Sequence, residues 1–161
     1  MMLVDVSDTT GSAEGTSVKM DMKHVLQTDK ISISNAEFLS MRTGGGASDF
    51  KTLVTAPGSG FMILPVNITM LVTYASATQT AAVNLFAGYD PTTATYYTSQ
   101  YRNFMRNITT NSTFTLPIIG ATNGIHSASI DNLPLVMYSS LNFSGGFSAD
   151  VYVTYKIQKI F

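Results

Sequence analysis

The sequence predicts an all-β protein: an antiparallel β-sandwich or jelly roll of about eight strands behind an N-terminal arm. Three observations predict it. Apolar side chains recur with period two, most regularly in Val18-Lys19-Met20-Asp21-Met22-Lys23 and in the C-terminal segment. There Val151, Val153, Tyr155 and Ile157 alternate with Tyr152, Thr154, Lys156 and Gln158, the pattern of a strand with one buried face. Between these ends lie runs rich in Val, Ile, Thr, Tyr and Phe, the residues that suit a pleated surface. The runs are separated by turn chemistry such as Pro57-Gly58-Ser59-Gly60, Asp90-Pro91, Asn123-Gly124 and Asp131-Asn132.

Taken in order, residues 1–17 read as a flexible arm and residues 18–161 as a single β-sandwich domain. Val18 to Lys23 is the first expected strand, with His24 continuing its polar face. Ser34 to Met41 has room for one short helical turn and nothing longer. Further strands are expected at Lys51–Thr55, Phe61–Tyr74, Ala81–Tyr89, Thr95–Phe104, Ser112–Leu116 and Leu135–Phe143, ahead of the C-terminal strand. Proline cannot donate to a central ladder, so Pro65 marks either a break between two strands or an edge position. Gly145-Gly146 reads as a hairpin turn into the last strand.

At 161 residues and 17.3 kDa the chain suits one domain, because a protein of this size can bury roughly 69% of its unfolded surface. It contains no cysteine, which excludes disulfide scaffolds, thiol redox chemistry and cysteine-based metal sites. Charged residues make up 12% of the chain, against roughly 25% in an average soluble domain. The net charge of −1 argues against a basic nucleic-acid-binding surface, so no direct nucleic-acid contact is expected. The charge is also regional: residues 1–51 hold twelve charged side chains and residues 52–155 only five. A stretch that bare is expected both to be covered by Thr, Ser, Asn and Gln and to face other protein over much of its surface. The acidic, weakly apolar start of the chain and the interrupted run Phe61–Tyr74 predict neither a secretion signal nor a membrane segment.

Catalytic and cofactor chemistry finds no support. His24 and His126 lie far apart without a second ligand at metal spacing, no Gly-x-Ser-x-Gly elbow is present, and neither glycine-rich stretch is a phosphate loop. No cofactor, no metal and no enzymatic activity are expected. One segment has binding character: Tyr96, Tyr97, Tyr101 and Phe104 with Arg102 and Arg106. Tyrosine and arginine are enriched at interface hot spots and stack on sugar rings. Their plainer role, favoured here, is to cover one end of the sandwich.

The C-terminal third, Asp131-Asn132-Leu133-Pro134-Leu135-Val136, then Phe143-Ser144-Gly145-Gly146 and Val151-Tyr152-Val153-Thr154-Tyr155-Lys156-Ile157, resembles the ending of small jelly-roll virion proteins of tailed bacteriophages. That group includes capsid decoration (cement) proteins, head fibres and tail components. The resemblance spans some 30 residues and implies a structural virion protein, made in the host cytoplasm and located in the particle. Its expected partners are copies of itself, as a homotrimer, and the major capsid protein. The alternative is a carbohydrate- or receptor-binding module that takes a glycan on the aromatic segment. A main coat protein ranks lower, since the arm lacks the basic residues used in genome packaging.

Overall fold

The computed structural model describes residues 25–42, 49–89, 97–118 and 129–160. They form β1 (Gln27–Ile33), α1 (Asn35–Ser40), β2 (Lys51–Val54), β3 (Phe61–Tyr74), β4 (Leu85–Gly88), β5 (Tyr97–Tyr101), β6 (Ser112–Leu116), β7 (Leu135–Ser139) and β8 (Phe147–Lys159). Two four-stranded sheets result, ordered β1-β8-β3-β6 and β2-β7-β4-β5. All pairings are antiparallel and nested: first with eighth, second with seventh, third with sixth, fourth with fifth. Nesting of this kind is a long hairpin folded in half. The hairpin is then rolled up, so that β8 also meets β3 and β7 also meets β4. The result is the eight-strand, double-sheet jelly roll, within the fold class the sequence predicts.

The first sheet obeys the period-two rule. Ile31, Val151, Met70 and Phe114 form one cross-strand row facing the core, and Val153, Ile68 and Leu116 extend the next. Residues of the opposite parity face away, among them Lys30, Tyr152, Thr69 and Thr115 in one row and Ser32, Asp150, Leu71 and Thr113 in another. The second sheet does not alternate. Tyr101 sets its inward parity, because its ring meets Phe114 of the first sheet at 4.9 Å, and Leu85 and Ser139 share that row. Phe86 and Tyr138 therefore lie on the far face, stacked with centroids 5.4 Å apart, yet both are buried. β4 and β7 are buried on both sides, so their sequences read as continuous apolar runs.

Several expectations change in detail. Val18 to Lys23 and residues 1–17 lie outside the described residues. β1, which no alternation announced, opens the first sheet instead. Its outer positions Thr28, Lys30 and Ser32 are exposed, and so is Asp29 on the other parity, which leaves only Ile31 and Ile33 as apolar signals. Pro65 does not break β3. It sits beside a register shift between Pro65 and Asn67, opposite Tyr155, in the half of β3 that pairs with β8 alone. β6 joins only from Ile68 onward, so no donor is missed on the free side. Gly145-Gly146 is not a hairpin turn: β7 and β8 belong to different sheets, and the glycines carry the chain from one to the other. Both are buried, and a Cβ on Gly146 would come within 2.8 Å of the Ala77 backbone nitrogen.

That crossing is pinned by Gln79, which is 1% exposed. Its Oε1 accepts the backbone N–H groups of Ser144 (2.8 Å) and Gly145 (3.0 Å), while Nε2 donates to the carbonyl of Ala81 (3.0 Å). A leucine here would leave the buried Gly145 N–H without a partner, at roughly 1–3 kcal/mol for an orphaned group, and would also break the part-buried bonds to the Ser144 N–H and the Ala81 carbonyl. Gln79→Leu is therefore expected to lower unfolding free energy by about 2–4 kcal/mol in urea titrations. A change below about 1 kcal/mol would contradict the pinning role.

Candidate interaction surfaces

The aromatic segment singled out in the sequence divides between core and surface. Tyr96 lies outside the described residues, and Tyr97 is placed only as the first residue of β5. Tyr101 is half-buried, with its ring edge-on to Phe104 (6.0 Å) and Phe114 (4.9 Å). Phe104 is 0% exposed. It joins Phe38 of α1, Phe143 of the crossing and Phe147 of β8 in a group whose six ring pairs all lie within 6.0 Å. Four rings from four elements thus seal one end of the roll. Arg102 and Arg106 point the other way and are exposed.

The backbone accounts for this split. Past Tyr101 the expected strand stops, and Asn103, Met105 and Asn107 all take positive φ, at 54°, 56° and 58°. Alternating left-handed residues curl the chain so that Phe104 and Met105 enter the core while Arg102, Asn103, Arg106 and Asn107 stay in solvent. Left-handed conformation costs an L-residue roughly 1–2 kcal/mol, least for asparagine. The bonds that hold it run to one other segment, residues 79–84: Asn103 N–H to Asn84 Oδ1, Phe104 N–H to the Val83 carbonyl, and Asn107 N–H to the Gln79 carbonyl. Two asparagines spaced four apart were the sequence signal for this turn, and it went unread. Gln79 gave none, since a buried glutamine looks like any other polar loop residue.

A second surface is the outer face of the first sheet. It is broad and sparsely charged. Among the described residues it carries the Lys30–Asp150 ion pair at 2.8 Å, which neutralises itself, and Lys156 further along β8. Lys30 also lies over the Tyr152 ring, 5.9 Å from the centroid. Beside α1 the face dips into an open cavity of about 360 Å³ lined by Ser32, Ser34, Glu37, Thr73, Ser148 and Asp150, among others. Both carboxylates are already engaged. Asp150 accepts from Lys30 and Ser32, and these partners hold its pKa below the usual value. Glu37 accepts from Lys51 Nζ and from the Ser34 backbone N–H of the capping box. With two lysines against two carboxylates, the cavity has no net charge to offer a metal. Among the described residues, no group of three or more His, Asp or Glu side chains is placed to hold one. No helix among them is long and apolar enough to cross a membrane.

No protein-family model matches the chain, and no curated protein matches it. Among solved structures it is similar to a chain of the cyanophage Pam1 capsid asymmetric unit, with 14% identity, 81% of this chain and 82% of that chain covered, and a TM-score of 0.42. It is also similar to a chain of the empty capsid of Triatoma virus, with 12% identity, coverage of 88% and 93%, and a TM-score of 0.32. Likeness at these levels leaves the chain's role to be argued from its own surfaces.

Two expectations follow. Asn107→Ala should cost about 1 kcal/mol while Asn107→Gly costs little, because only glycine avoids the Cβ penalty at positive φ; equal effects in thermal melts would count against strain at the turn. Glu37 titrates at about 2, down from 4.5, chiefly through the Lys51 hydrogen bond and then the Ser34 N–H. A depressed carboxyl pKa stabilises the fold above its ordinary value, and that contribution is lost as pH falls toward the folded one. Wild type should therefore lose more stability than Glu37→Gln between pH 4.5 and 2; parallel pH profiles would refute the assignment.

Proposed function

We propose that this chain is a structural virion protein that assembles with copies of itself, as a homotrimer, and seats on the major capsid protein as a decoration (cement) protein. The observation that carries this reading is the outer face of the first sheet. Its rows Lys30–Tyr152–Thr69–Thr115 and Ser32–Asp150–Leu71–Thr113 hold one self-neutralised ion pair in a field of Thr, Ser, Tyr and Leu. An isolated soluble domain carries roughly 25–35% charged residues on its surface, whereas the buried centre of a protein interface is depleted of charge and enriched in tyrosine. Leu71 stands at its middle, 44% exposed.

Fold adds a weaker support: the jelly roll recurs in viral shells and also in lectins, so it narrows the role without choosing it. Within the aromatic segment, Phe104 supports the shell reading over the glycan reading. A stacking platform needs exposed ring faces, and the Phe104 ring is spent in the core.

In light scattering the protein should run near three times 17.3 kDa. Thr69→Lys with Leu71→Lys should reduce it to the single-chain mass with the fold intact by circular dichroism. A wild-type monomer at micromolar concentration would sink the oligomer, and absence from purified particles by mass spectrometry would sink the virion role.

A further inference from the structure

We draw no further inference here: the strongest candidate, the surface patch at the Gly145 end of the roll where Leu39 and Leu141 stand exposed beside Arg102 and Arg106, carries nothing because nothing in the structure shows what covers it.

Discussion

Everything in this fold hangs on the ladder between β3 and β8. Thirteen residue pairs run from Phe61 opposite Lys159 to Tyr74 opposite Phe147, and they join segments more than seventy residues apart. Without it the chain would be a folded hairpin with β1 and β8 on one side and β3 and β6 on the other. With it the hairpin closes into a roll, the inner rows of the first sheet become continuous, and a core can form against the second sheet. The register shift at Pro65 lets the long strand keep its ladder past a residue with no N–H.

Closing the roll leaves two ends, and they are treated differently. At the Gly145 end, Phe38, Phe104, Phe143 and Phe147 converge from helix, turn, crossing and strand. No local rule brings them together; each is held by its own backbone anchoring. The capping box at Ser34 and Glu37 starts α1 and so delivers Phe38. Gln79 holds the crossing that delivers Phe143 and Phe147. The left-handed turn delivers Phe104 and leaves two arginines outside. Packing and surface chemistry are two products of one strained segment.

Legibility in the sequence followed solvent exposure. β6 is found at the expected residues and β3 over its whole length, because one face of each meets solvent over much of its run and polar residues mark the alternation. β4 and β7 were recognised as apolar runs but drawn too long: Ala81–Tyr89 shrinks to Leu85–Gly88, and Leu135–Phe143 to Leu135–Ser139. Burial on both faces removes the alternation that would have marked their ends. β1 went unseen because Thr28-Asp29-Lys30 is polar on both parities, as an edge strand tolerates. Of the aromatic segment, composition could not say which side chains point out, since that depends on three positive φ values.

By itself the sequence determined most of the strand-forming segments, though not β1, the turns between most of them, the absence of cysteine chemistry and the regional distribution of charge. These are local properties, written in residue type and spacing. Only the tertiary structure decided which strand pairs with which, that Gly145-Gly146 changes sheets rather than reversing within one, and that Phe104 is core while Arg102 and Arg106 are surface. Backbone N–H and C=O groups are the same in every strand, so pairing is chosen by which arrangement buries all the apolar faces at once. That is a property of the whole chain, and no window of it carries the answer.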